Sequence, residues 1–270
     1  MAIVSAFLLP GNPLPALHPD TDPWQQLVEA YQEVGEAIRT ARPDVLMIYS
    51  TQWYAVLDQL WQARAEIEGI HVDEQWHDYG DLPFRLRTDT ALAADCVARA
   101  NAAGIKSKGV DYDGFPIDTG TIVATGFIDP EAKIPTLIAA CNLYHDFAKT
   151  EALGAVAREA VLAGDKRAVV LAVGGLSSNY IDHVIDLTDD HIAKSEDDAA
   201  NRRFLAAIRN ADQDGLRKAA LDYAASTGTD MGMKHIAWIL GTCATIQGAD
   251  VKAYGPIYGA GAAVVEFRLG

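Results

Sequence analysis

Basic residues are few: 22 Lys and Arg stand against 37 Asp and Glu in 270 residues, for a formal net charge of −15. No basic run exceeds two residues, as at Arg202-Arg203. A chain of this charge repels polyphosphate and has no stretch that could track a nucleic-acid backbone, which excludes that class of partner. Cysteine is scarcer still. Cys96, Cys141 and Cys243 are odd in number, far apart and outside any CxxC pair, so neither a disulfide framework nor a thiolate zinc site is expected. No uninterrupted apolar run approaches the roughly 20 residues of a membrane-spanning helix. The apolar stretch Ala2 to Leu9 lacks a basic flank and breaks at Pro10-Gly11-Asn12-Pro13, so it reads as a first strand rather than a signal peptide. Reduced thiols and the lack of a membrane segment imply a cytoplasmic location.

Half of the residues are hydrophobic, enough to bury a sizeable core, and strand-like and helix-like segments alternate for most of the length. Ile3 to Leu9, Val45 to Tyr49, Ile134 to Cys141 and Ala168 to Val173 are short continuous apolar runs, the pattern of strands covered on both faces. Asp22-Pro23 reads as an N-cap with proline at the first helical position, before Trp24, Leu27, Val28, Tyr31, Val34 and Ile38 at helical spacing, and Pro43 closes that helix. Further helices are predicted over Thr88 to Ala103, Thr150 to Leu162 with Gly164 as C-cap, Asp197 to Asn210, Gly215 to Ala225 and Met231 to Leu240. A glycine-rich return through Tyr254-Gly255-Pro256 then leads to a strand from Ala263 to Arg268. Residues Tyr54 to Glu68 fit a helix through Val56, Leu57, Leu60, Trp61 and Ala63, and fit strand as well. No linker, repeat or low-complexity block divides the chain, so one domain is expected over residues 1–270.

Several clusters could carry chemistry. His71, Asp73, Glu74, His77 and Asp78 offer metal-type ligands but match no spaced signature, and read as a solvated acidic loop. Asp111-Tyr112-Asp113-Gly114 opens like a calcium loop yet lacks the later ligands, and reads as a turn. His145, in Tyr144-His145-Asp146 after a strand, stands where α/β proteins often place a pocket. Gly174-Gly175-Leu176-Ser177-Ser178 is not GxSxG and reads as a turn with a capping serine. Gly259 and Gly261 run into a strand, not a helix, which removes the phosphate cradle of a dinucleotide site. In Lys234-His235-Ile236-Ala237-Trp238, Ile236 and Trp238 are expected to pack inward and Lys234 to face solvent.

Taken in order, Phe7-Leu8-Leu9-Pro10, Arg42-Pro43-Asp44-Val45-Leu46, Ser50-Thr51-Gln52-Trp53, Asp118-Thr119-Gly120-Thr121, Leu176-Ser177 and Trp238 resemble the class III extradiol ring-cleavage dioxygenases over nearly the full chain. Within that family the likeness is strongest to the α chains of the two-chain, aminophenol-cleaving type. It runs through SAFLLPGNPLP, YSTQWYAVLDQLW, HVDEQW, DYDGFPIDTGTI, NLYHD and GGLS. Pattern and resemblance together predict a single three-layer α/β/α domain with a mixed, largely parallel central sheet and a more helical C-terminal third.

The resemblance implies an Fe(II) site of two His and one Glu in active members, and here each of those positions differs. The first histidine corresponds to Gly11, with Asn12 adjacent; the second to Gln52; the glutamate, four residues before a helical Trp, to Lys234. The substrate-contacting histidine corresponds to Thr119 and the acid/base histidine to Ser178. Losing the ligands together with both proton-handling groups leaves no route to activate O₂ or deprotonate an aminophenol. The resemblance thus implies a non-catalytic α subunit with no cofactor of its own, supporting a homologous β subunit that carries Fe(II), in an α₂β₂ heterotetramer. Two other functions remain open on the residues: a metal-free module binding a phenolate or carboxylate in the relic pocket, and an enzyme of other chemistry using Ser178, His145 and Lys234.

Overall fold

The computed structural model describes residues 3–178, 181 and 183–270. Ala2, the first residue of the apolar N-terminal stretch, lies outside them. The chain runs β1 (Ile3–Leu9), α1 (Leu14–Leu17), α2 (Gln25–Ala41), β2 (Val45–Ala55), β3 (Gln59–Gln62), β4 (Glu66–His71), β5 (Leu82–Arg87), α3 (Thr90–Ala102) and β6 (Ser107–Val110). It continues through α4 (Thr119–Ile128), β7 (Thr136–Asn142), α5 (Phe147–Ala163), β8 (Ala168–Val173), α6 (Ser195–Ile208), α7 (Gln213–Ser226), α8 (Lys234–Thr242), β9 (Ile246–Ile257) and β10 (Ala260–Leu269).

Eight strands form the central sheet in the order β6-β3-β7-β2-β8-β1-β10-β9, and β4 pairs with β5 as a separate hairpin. The inner strands β7, β2, β8 and β1 are mutually parallel, while β10 and β9 close one side as antiparallel strands. The period of two along each inner strand sorts its residues between two cores. Val45, Met47 and Tyr49 of β2 face a core built with α3, α5, α6, α7 and α8. Leu46 and Ile48 face a second core, with α2, α4 and the β4–β5 hairpin. Burial on both faces is why these strands read as unbroken apolar runs and not as alternation. The arrangement is the predicted three-layer α/β/α fold with a largely parallel sheet.

Several local expectations are corrected. Asp22 does not cap the first long helix: Asp22–Trp24 is a 3₁₀ turn, and α2 begins only at Gln25. The ambiguous stretch Tyr54 to Glu68 is not helical; it is the end of β2, β3 and the start of β4, and the helical spacing of Val56 and Leu57 is a turn that leaves both exposed. The glycine-rich return is itself a strand, β9, running to Ile257. It lies at the sheet edge, where Pro256 removes no ladder bond that a further neighbour would need. Asp111–Gly114 is a turn as expected, closed by the Phe115 N–H donating to the Tyr112 carbonyl at 3.2 Å. Among the described residues no helix is long and apolar enough to cross a membrane.

Candidate functional site

Strands β1, β2, β7 and β8 end at one edge of the sheet, the edge at which open α/β sheets place their ligands. The loops leaving β1, β7 and β8 carry Gly11, His145 and Ser178, the last part of β2 carries Gln52, and α4 and α8 bring Thr119 and Lys234 with their first residues. At Ser50 the pairing of β2 with β7 breaks and resumes at Tyr54, so Thr51, Gln52 and Trp53 form an irregular bulge at the edge.

Gly11 sits in a packed spot. A Cβ placed there would lie 3.1 Å from Gly120 Cα, 3.1 Å from Val173 Cγ1 and 3.2 Å from Gln52 Nε2. Gly11, Gln52 and the start of α4 therefore meet at one point, and any side chain at position 11 would need these neighbours to give by a few tenths of an ångström. Asn12 directs its side-chain oxygen at the Leu14 N–H, 3.0 Å away. Ser50 donates to Asp118 at 2.5 Å, and the same carboxylate caps α4 by accepting from the Thr121 N–H at 2.9 Å. This cap is what aims Thr119 at the edge.

Thr119 is buried and donates to the Asp73 carboxylate, while His71 Nε2 lies 2.7 Å from its hydroxyl oxygen. Since the single hydroxyl proton goes to Asp73, His71 is the donor of the other bond. The expectation of a solvated acidic loop is thus half corrected. Glu74, His77 and Asp78 are exposed, but His71 and Asp73 turn inward onto a residue more than forty positions away in the chain.

Lys234, expected in solvent, is partly buried, and its Nζ donates to the main-chain carbonyls of Asn142 at 2.9 Å and Leu143 at 3.2 Å. The ammonium is fixed at the end of β7. His145, in the next loop, is 7% exposed, and burial followed by the charges of Lys149 and Lys234 pushes its pKa down to about 4. Ser178 is exposed, with its backbone N–H donating to the Gly228 carbonyl at 2.9 Å. The neighbouring Ser177 is the structural residue. It caps no helix, contrary to expectation; its hydroxyl accepts from Asn201 Nδ2 at 3.0 Å and from the Gly261 N–H at 3.1 Å, tying β10 to α6.

Two residues at this edge, Asp230 and His235, have no role assigned by the sequence pattern. Asp230 accepts from the Thr51 hydroxyl and the Gly175 N–H, both at 2.7 Å, linking the β2 bulge to the loop after β8. His235 is fully buried with no hydrogen bond to either ring nitrogen among the described residues, and burial lowers its pKa against the opposing pull of Asp230. Between them Met231, Gly232 and Met233 all have positive φ, of 45°, 60° and 60°, so the predicted helix starts three residues late. Consecutive left-handed residues are strained and persist only where the surroundings hold them.

A cleft of about 630 Å³ opens along the outer flank of α4, lined by Ile70, Phe84, Ile122 and Gly126 among others; it is not at the strand ends. At the four positions that the resemblance assigns to ligands and substrate contact, Gly11, Gln52, Thr119 and Lys234, the donor set is a glycine, an amide, a hydroxyl and an ammonium already bonded to carbonyls. That set does not fit Fe(II), which needs imidazole and carboxylate ligands with open positions between them. Among the described residues no group of three or more His, Cys, Asp or Glu is placed to hold a metal ion.

Residues 10–265 match the family described as the catalytic LigB subunit of aromatic ring-opening dioxygenase. The chain belongs to this family. It is 44% identical to the 2-aminophenol 1,6-dioxygenase alpha subunit of a Pseudomonas species over 271 residues, covering all of both chains. It is 24% identical to the beta subunit of 2-aminophenol 1,6-dioxygenase, also from a Pseudomonas species, over 99% of this chain and 94% of that one. A crystal structure of an uncharacterized protein from Escherichia coli K12 shares the fold, with a TM-score of 0.67 over 98% of this chain and 99% of that one, at 14% identity. This LigB-family chain thus has full-length likeness to both chains of a two-chain enzyme, and is nearer the alpha.

Proposed function

We propose that the chain is the non-catalytic α subunit of a two-chain extradiol ring-cleaving dioxygenase acting on 2-aminophenol or a substituted relative. The observation that carries the proposal is the placement of Lys234. A side chain standing where the family's glutamate ligand is expected delivers a positive charge, held by the carbonyls of Asn142 and Leu143. Such a charge repels a divalent ion, and neither Gly11 nor Gln52 offers an anionic or imidazole ligand to offset it. Thr119 and Ser178, at the substrate-contacting and acid/base positions, have no group that accepts a proton near neutral pH.

In this reading the Fe(II) belongs to a homologous β subunit, the assembly is an α₂β₂ heterotetramer, and the α chain contributes stability and shape as one domain in the cytoplasm. His145 lines what remains of the pocket. Full-length likeness to a beta as well as an alpha subunit supports descent of both chains from one ancestor. The test is to assay 2-aminophenol cleavage by this chain, by its host's β-type chain and by the two co-expressed, each reconstituted with Fe(II) under argon. Turnover that needs the β-type chain and rises when this chain is added is the expected result. Turnover by this chain alone contradicts it.

A further inference from the structure

The C-terminal edge of the sheet carries an apolar patch beside the relic site. Tyr54, Val56 and Leu57, at the end of β2, are 53%, 49% and 88% exposed, and Leu143 and Tyr144, after β7, are 43% and 79% exposed. The two stretches are neighbours: the Leu143 N–H donates to the Ala55 carbonyl at 2.8 Å, and Asn142 Nδ2 donates to the Asp58 carbonyl at 3.2 Å. Five exposed large apolar or aromatic side chains thus lie on adjoining stretches of backbone. Contiguous patches of this kind mark interaction sites, and tyrosine is enriched at the centres of interfaces.

The charge facing solvent around the patch is basic, in a chain whose net charge is −15. Lys106 and Lys108 both reach the mostly buried Asp58, the residue after Leu57, at 3.0 and 2.8 Å. Lys234 adjoins Leu143, and the exposed Lys149 follows Tyr144 with Asp146 beside it. The other carboxylates near Tyr54, Asp118 and Asp230, lie behind it in the hydrogen bonds already described. A second copy docking by twofold symmetry through this patch would set one basic rim against another. Charge complementarity therefore selects a different chain, with an apolar face and an acidic rim.

We infer that this patch is the surface on which the β-type subunit docks, its apolar side chains forming the centre of the interface and the lysines its rim. The inference rests on the two-chain reading above. A stable interface needs roughly 800 Å² from each partner, so docking here covers the mouth of the relic site and much of the sheet edge around it.

The three native cysteines are buried, so Leu57→Cys adds a singular reactive thiol among the described residues. Leu162→Cys is the control: Leu162 is 55% exposed near the far end of α5, a helix of 17 residues and thus about 25 Å long. In the co-purified complex with the host's β-type chain, maleimide labelling at position 57 should slow at least about tenfold relative to the free chain, and labelling at 162 should not change. Leu57→Glu with Tyr144→Glu should weaken assembly by about a hundredfold or more while leaving the free chain's unfolding midpoint unchanged. Equal labelling of position 57 in complex and free chain overturns the assignment of the surface while leaving the two-chain reading intact. Self-association of the free chain that Leu57→Glu abolishes overturns it in favour of a second copy. Failure of the unsubstituted chain to bind the β-type chain at all overturns the two-chain reading, and the docking surface with it.

Discussion

In the proposed reading Lys234 and Gly11 act together at the residue scale, one placing a cation and the other withholding a side chain where a ligand set would have to close. Reversal by substitution should therefore fail. The triple variant Gly11→His, Gln52→His, Lys234→Glu must fit an imidazole where even a Cβ lies 3.1 Å from Gly120 Cα, and overpacking of this kind costs about 1–3 kcal/mol. It should unfold at lower urea than the parent and bind Fe(II) well below one per chain, as read by metal analysis; full occupancy would show that the packing yields. His145 has a separate consequence. Its pKa is about 4 when folded against an ordinary 6.5, so as pH falls through 6.5 the unfolded chain takes up the proton first. Stability from this residue is complete above pH 6.5 and is lost between 6.5 and 4. Urea midpoints measured at about pH 7.5 and about pH 5 should differ less in His145→Asn than in the parent. An unchanged difference would mean that other groups, including His235, whose pKa burial also lowers, carry the acid limb.

At the scale of elements, α5 and α8 cross at glycines. A Cβ at Gly241 would lie 2.0 Å from the Glu151 carbonyl, and one at Gly154 2.8 Å from the Trp238 carbonyl, so the helix backbones touch. Gly126, inside α4, has nothing within 4 Å of that position. Alanine should act oppositely at the two sites. Gly241→Ala should cost about 3 kcal/mol or more through overpacking, and Gly126→Ala should gain about 0.4–1 kcal/mol by restricting the unfolded chain. Equilibrium urea denaturation of both variants checks the signs. The elements most legible in the sequence were those whose pattern has a single cause: β1, β2, β7 and β8 as apolar runs, and α5 ending at Gly164. Strand β9 was hidden by Gly248, Gly255 and Pro256, which an edge strand tolerates and a central one does not. The start of α8 was misplaced because Met231 and Met233 take a left-handed conformation that no propensity for methionine anticipates.

For the whole molecule, the candidate site was legible only where it lay in contiguous motifs. Gly11, Gln52, Thr119 and Lys234 fall at motif positions, and the fold brings the first three together at one sheet edge, with Lys234 at the end of β7. The contacts of Thr119 with His71 and Asp73, and of Thr51 with Asp230, join segments 46 to 179 residues apart, and local spacing carries no record of such pairings. The central claim is that this chain has the family's fold without its metal chemistry. The most direct test is bound iron per chain after anaerobic Fe(II) reconstitution of the isolated protein, with 2-aminophenol and catechol turnover followed by ultraviolet absorbance on the same sample. The account predicts iron near zero and no turnover. Stoichiometric iron with ring cleavage would contradict it, and would mean that a different set of side chains at this edge builds a working site.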